Sequence, residues 1–254
     1  MKRILAAIFA VWMTNTTPAG AGELYQVSLL NALMLGVYDG EVTIGELSRH
    51  GDLGLGTVNG LDGEMVAIDG RFFRVGTDGR AVALAPDAAT PFAMVTAFAP
   101  TVTAPIPAGL DLPALESWLT QLLPPANHAQ AIRIDGTFSA LTLRSVPRQT
   151  PPYQPLTEAL KNQVTFTHQD MTGTLLGFRI PGYAKGMNAP GFHFHFIDAT
   201  RSQGGHVLRL VTGSGRAAIA DLDRVVVTLP GDAAFAAAAL GSEGRGGANA
   251  VEGQ

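Results

Sequence analysis

Three histidines carry the densest chemistry in this chain. In Pro190-Gly191-Phe192-His193-Phe194-His195-Phe196-Ile197-Asp198 two imidazoles stand two residues apart. In a strand that spacing puts His193 and His195 on one face and Phe192, Phe194 and Phe196 on the other. His206 follows, opening the apolar run Val207-Leu208-Arg209-Leu210-Val211. A short connection from Asp198 to Gly205 folds that run back antiparallel to the first and brings the third imidazole beside the other two. Three neutral imidazoles with an open position are the ligand set of a catalytic zinc ion, whereas a structural zinc site closes with a fourth protein ligand, usually cysteine. The sequence has no cysteine. A lone buried histidine is more often a hydrogen-bonded core residue, but a His-x-His pair with a third histidine one hairpin away points to metal.

The rest of the chain has to position that cluster. With 254 residues, 46% of them hydrophobic, it can fill one large core or two small ones. A formal charge of −4, a pI near 5.8 and 17 scattered Lys and Arg residues give no basic footprint, so nucleic acid is not an expected partner. Lys2 and Arg3, the apolar run Ile4 to Met13 and the small residues Ala19-Gly20-Ala21 read as a secretory leader. The expectation is removal of residues 1–21, a mature start near Gly22, and an exported protein, periplasmic or secreted, that is not held in the membrane once the leader is gone. The absence of cysteine fits export without disulfides and decides nothing more.

Strand and turn signals dominate the mature chain. Thr43 to Ser48 reads as a short capped helix, Glu64 to Val75 as a hairpin turning at Asp69-Gly70, and Leu112 to Leu123 as a helix capped by Asp111 and stopped by Pro124-Pro125. Ala131 to Val146 reads as strand, turn or bulge, strand. Pro147 to Pro155 reads as a linker. The expected fold class is mixed α/β, β-rich, with two subdomains of mixed β-sheet, few helices, and the metal site between them. The subdomains are expected at 22–150 and 151–254, the second carrying the histidines and a glycine-rich, mobile tail.

The segment Gly177 to Asn188, running into Pro190 to Phe196, resembles the acetolactate decarboxylases. Leu35 to Gly40, Gly54 to Thr57, Leu61 to Met65 and Gly204 to Leu208 extend the likeness over nearly the whole mature chain. The resemblance implies a two-domain mixed α/β protein that binds zinc through three histidines and converts 2-acetolactate to acetoin and carbon dioxide. It places the metal ligands on His193, His195 and His206, an acid and a cation on Glu64 and Arg144, a further acid on Glu252 and a hydroxyl on Thr57. Residue type alone makes Glu64 a solvated hairpin residue and Arg144 a strand-face ion-pair partner. His50, His128 and His168 are assigned no role. The implied partner is a small-molecule substrate, with a homodimer left open.

Other families share parts of the pattern. The Phe-His-Phe-His-Phe strand also resembles the zinc strand of α-type carbonic anhydrases, whose third histidine lies considerably further downstream. A cupin wants a glutamate four to five positions after its His-x-His, where Asp198 and Ala199 stand here. A periplasmic zinc-binding protein would use the same three histidines, usually with a histidine- or acid-rich loop that is not visible in this sequence.

Overall fold

The computed structural model describes residues 22–123 and 127–241. The expected leader and Glu252 lie outside them. In chain order the elements are β1 (Glu23–Val27), α1 (Leu30–Met34), β2 (Val42–Thr43), α2 (Ile44–Leu47), β3 (Leu53–Thr57), β4 (Glu64–Ile68), β5 (Arg71–Val75), β6 (Ala81–Ala83), β7 (Ala89–Thr90), β8 (Ala93–Thr96) and β9 (Val102–Ile106). There follow α3 (Leu112–Leu122), β10 (Ala129–Ser145), α4 (Leu156–Ala159), β11 (Val164–Ile180), β12 (Gly191–Asp198), β13 (Gly204–Leu222), β14 (Arg224–Thr228) and α5 (Ala233–Ala237).

Local chemistry explains most of the boundaries. Asp111 accepts a hydrogen bond from Ala114 N, and Pro113 sits in the first turn, so α3 starts where both signals put it. Thr43 caps α2 through Glu46 N. Asp69 and Gly70 both take positive φ (49° and 70°), the pair that a two-residue hairpin needs to match the twist of β4 and β5.

Two sheets build the molecule. The first has the order β14-β1-β8-β3-β4-β5-β6 and is antiparallel except where β1 runs parallel to β14. In the second, β10, β11, β12 and β13 pair in turn, and β13 pairs back onto β10, closing a small antiparallel barrel with β9 added outside. β2 and β7 form a separate two-stranded ribbon. Inside the barrel lie Phe138, Leu141, Leu143, Phe194, Phe196 and their neighbours, plugged from one side by Leu115 and Leu119 of α3. Leu55, Val66, Ile68 and Val75 of the first sheet pack on Ala131, Leu176, Phe178 and Ile197 of the barrel's outer wall. This is the expected β-rich class with few helices.

Chain order and sheet membership cross. β9, α3 and β10 precede residue 150 yet belong with the barrel, while β14 returns from the far end of the chain to the first sheet. Of the two readings of residues 131–146, turn or bulge, the structure has the bulge: Ala131 to Ser145 lie in one long strand, β10, whose register shifts between Gly136 and Phe138, Phe138 and Ala140, and Thr142 and Leu143 absorb the barrel's curvature. The proline-rich 147–155 segment joins β10 to α4 as a docked strap: Gln149 N donates to Gly60 O at 2.7 Å, and Tyr153 sets its ring edge-on to Tyr38.

Candidate metal centre

Alternation along β12 does what the spacing of its residues requires. Phe194 and Phe196 fill the barrel, and His193 and His195 turn outward toward the first sheet. β13 pairs antiparallel with β12 in a register that sets His206 directly opposite His195, and β10 on its other side sets Arg144 opposite His206. Directly opposed residues share a face, so three adjacent strands present His195, His206 and Arg144 in one row. Gly205 permits this approach: with φ +148°, its missing Cβ would stand 2.7 Å from the Arg144 carbonyl oxygen.

The ring nitrogens converge. His193 Nε2 lies 3.3 Å from His195 Nε2 and 3.2 Å from His206 Nδ1, and the three ligand atoms fall within 4.8 Å of one another. Nitrogens held about 2.0–2.1 Å from one tetrahedral ion stand about 3.3 Å apart, so the distances from His193 to the other two imidazoles suit a shared cation. His195 Nδ1 donates to the Met65 carbonyl at 2.8 Å, which fixes the tautomer and leaves the Nε2 lone pair for the metal side. Burial holds His195 down to about 3, and the same burial, with His195 and Arg144 nearby, holds His193 well below the ordinary histidine range. Neutral imidazoles are the form that binds metal.

The acid and the cation face the triad from different sheets. Glu64 opens β4, and Arg144 lies next to the last residue of β10; they are 7% and 5% exposed. Arg144 Nη1 donates to Glu64 Oε1 at 2.7 Å, and Glu64 Oε2 lies 3.4 Å from His195 Nε2. The solvated hairpin reading of Glu64 is thereby overturned: β4 is an inner strand of its sheet, and alternation turns Glu64 inward with Val66. Burial raises the Glu64 pKa, and the Arg144 charge only partly opposes it.

Thr57 stands opposite Glu64 in the β3–β4 ladder and is buried. Its hydroxyl donates to Gly63 O at 2.7 Å, so only lone pairs remain to face a ligand. Thr57, Glu64, Arg144, His193 and His206 line one cavity of about 50 Å³, closed on its other side by side chains such as Leu30 and Leu33 of α1 and Leu156 of α4. The space suits a small molecule with one polar and one methyl-rich side. The sequence-chosen site residues gather around this cavity, His195 standing behind its lining against His193 and Glu64 at 3.3 and 3.4 Å; Glu252 lies outside the described residues.

Sequence reasoning passed over the apolar wall and its anchor. Gln26 and Asn188 are 0% and 1% exposed, and Asn188 Nδ2 donates to Gln26 Oε1 at 2.8 Å. Gln26 Nε2 donates to Ser28 O and Met187 O, while Leu30 N donates to Met187 O. These bonds tie the β11–β12 loop to the start of α1. The signal available was the unbroken Gly-Met-Asn-Ala-Pro-Gly loop just before the histidine strand.

Known proteins supply the remaining comparison. The profile of the Alpha-acetolactate decarboxylase family matches residues 24–242. The chain is 47% identical to the alpha-acetolactate decarboxylase of Methylococcus capsulatus over 201 residues, 79% of this chain and 76% of that protein. It is 45% identical to that of Methanosarcina mazei over 218 residues, 86% of this chain and 76% of that protein. The crystal structure of alpha-acetolactate decarboxylase from Bacillus subtilis strain 168 superposes with a TM-score of 0.85 at 38% identity, covering 87% of this chain and 94% of that one. A shared fold, and identity near one half over four fifths of the chain, place this chain in the alpha-acetolactate decarboxylase family.

Proposed function

We propose that this protein decarboxylates 2-acetolactate to acetoin and carbon dioxide, with zinc held by His193, His195 and His206. One observation carries the reading: three imidazoles whose ligand atoms lie within 4.8 Å of one another stand beside a buried Glu64–Arg144 pair, and His193, His206, Glu64 and Arg144 line a single small cavity. Zinc, when bound, supplies a Lewis acid for the negative charge that develops as carbon dioxide leaves.

The chain's own groups supply the rest. Arg144 meets the substrate carboxylate with its planar guanidinium and orients the bond to be broken. Glu64 shares that guanidinium, which keeps Arg144 from gripping the departing carboxylate too tightly; uniform tight binding of the ground state would oppose its loss. The lone pairs of Thr57 Oγ1 accept the proton of the substrate's tertiary hydroxyl. Leu30, Leu33 and Leu156 take the methyl groups and exclude water. Glu64, its pKa raised by burial, protonates one face of the enediolate; Glu252 is the second candidate for that proton.

The test is acetoin formed from racemic acetolactate before and after chelation. Activity lost to chelator and restored by zinc supports the reading; undiminished activity in a metal-free sample removes zinc from it. Export is also proposed, on Lys2, Arg3, the apolar run after them and Ala19-Gly20-Ala21. Intact mass of secreted or periplasmic material should place the first residue near Gly22, and material retaining Met1 refutes it.

A further inference from the structure

Leu61 lies in the loop that joins Thr57, at the end of β3, to Glu64, at the start of β4. It thus hangs between two residues that face the substrate in the reaction proposed above, and the inference that follows rests on that reading. Leu61 is 4% exposed, lines the same cavity of about 50 Å³ and packs with Leu30, Leu33, Leu156 and Leu160. Among the described residues of that lining, only Leu61 carries a side chain on a backbone of positive φ, 51°. The left-handed region is unfavourable for a bulky side chain, and such strain persists only where the surroundings over-determine it.

The surroundings do so here. On one side of Leu61, Gly60 N donates to Tyr38 O and Gly60 O accepts from Gln149 N, both at 2.7 Å. Asn59 exchanges two hydrogen bonds with Gly40, its Oδ1 accepting at 3.0 Å and its Nδ2 donating at 2.9 Å. On the other side, Arg74 pairs with Asp62 at 2.8 Å and Gly63 N donates to Val146 O at 3.1 Å. Gly63 O accepts from Thr57 Oγ1, which couples the frame of Leu61 to the hydroxyl that faces the substrate. The helical part of the wall is built differently: α4 has four residues and no side-chain cap at its start. Selection by size needs a wall that does not yield, because a wall that moves aside admits a longer group at little cost.

In the proposed reaction Arg144 meets the substrate carboxylate and Thr57 the tertiary hydroxyl. The carbon that bears both is tetrahedral and also bears a methyl group. That methyl stands away from the charged pair and against the apolar lining, beside the loop that holds Thr57.

We propose that Leu61 is the specificity-determining residue of this site, a rigid stop that admits a methyl group on the hydroxyl-bearing carbon and rejects an ethyl group there. The substrate class it selects is the 2-hydroxy-2-methyl-3-oxo acids.

The test compares 2-acetolactate with its homologue 2-ethyl-2-hydroxy-3-oxobutanoate, following carbon dioxide release by the zinc-loaded protein. One methylene in a hydrophobic pocket changes kcat/KM by about 10- to 200-fold, so the unaltered protein should favour the methyl substrate by about ten-fold or more. Leu61→Ala should bring the ratio of the two kcat/KM values toward one, chiefly by recovering the ethyl substrate. Leu61→Gly should do the same, and because glycine takes positive φ without strain it keeps the loop backbone even where alanine does not. Leu156→Ala removes an equal side chain from α4 and should move the ratio much less. A structural defect slows both substrates alike and leaves the ratio where it was. Equal turnover of the two substrates by the unaltered protein overturns the proposal. So does a native ratio in both Leu61 variants with zinc fully bound, and so does a shift in Leu156→Ala as large as that in Leu61→Ala, since total volume rather than Leu61 would then decide. If the unaltered protein forms no acetoin from 2-acetolactate, the reaction itself is misassigned, a result distinct from an unmoved ratio in an active enzyme.

Discussion

Met65 and His195 belong to different sheets, and a 2.8 Å hydrogen bond joins the carbonyl of one to the Nδ1 of the other. The ligand is thus also a strut between sheets. His193→Ala and His195→Ala should both lose bound metal and activity, and both should fold, because the Phe194 and Phe196 face of β12 still contributes about 1.5–3 kcal/mol per ring. They should differ in metal-free stability. His195→Ala leaves the Met65 carbonyl buried without its partner, a cost of about 1–3 kcal/mol that His193→Ala does not incur. Metal analysis together with urea unfolding of the apo forms checks both halves; full zinc in either variant removes that residue from the ligand set.

Glu64 and Arg144 should separate in kinetics. Glu64→Gln keeps shape and hydrogen bonding but has no proton to give, so kcat should fall by about a hundred- to ten-thousand-fold with KM nearly kept. Arg144→Lys keeps charge but loses the planar fork and should raise KM while slowing turnover. A chain ending at Val251 asks the same question of Glu252. Native turnover in Glu64→Gln beside a dead, zinc-loaded truncation would assign the proton to the tail.

Asp198 ends β12 and holds the turn to β13 by accepting from Thr200 Oγ1, Gln203 N, Ser202 N and Ser202 Oγ. Burial works to raise its pKa, but the hydrogen bonds together outweigh burial and leave it lowered. A carboxyl with a lowered folded pKa contributes stability that is fully present above its unfolded value, about 3.9, and is lost as pH falls through the folded value. Asp198→Asn should therefore be less stable than the native protein at neutral pH, and the two unfolding curves should converge in acid. Parallel curves from pH 7 to pH 3 would show that this carboxylate does not couple to folding.

Asn188→Ala should act on the apolar wall from a distance. It strips partners from Gln26 Oε1 and Ala189 N in a dry environment, at about 1–3 kcal/mol for each group. For a domain of this size each kcal/mol lowers Tm by roughly 2–4 °C. Because Met187 O also receives Leu30 N, KM should rise as α1 loosens over the cavity. An unchanged Tm would mean that the loop is held by other contacts.

The metal strand is legible in the sequence because its period of two separates histidines from phenylalanines without reference to anything distant. His206 is legible for the same reason, being one hairpin away and directly opposite His195 in the ladder. Arg144 and Glu64 are not: nothing local says that a hairpin glutamate on β4 will be buried against an arginine 80 residues later, and only the family resemblance singles them out. Barrel closure is equally hidden, since the sequence offers either a turn or a bulge in β10, and only the structure shows bulges bending one strand around the core. Gln26 and Asn188 escape notice because an isolated polar residue in an apolar context carries no periodicity.

The parallel pairing of β1 with β14 sets Glu23 against Arg224 and Val27 against Thr228, the first strand against the last. The first sheet is consequently incomplete until nearly all of the chain has been synthesised, and its assembly requires closing almost the longest loop the polypeptide offers. A protein with such a high contact order folds slowly. The nascent chain should remain unfolded well past the synthesis of its first hundred residues. Under the export proposed above, that delay would keep the chain in the open form that a translocation channel accepts.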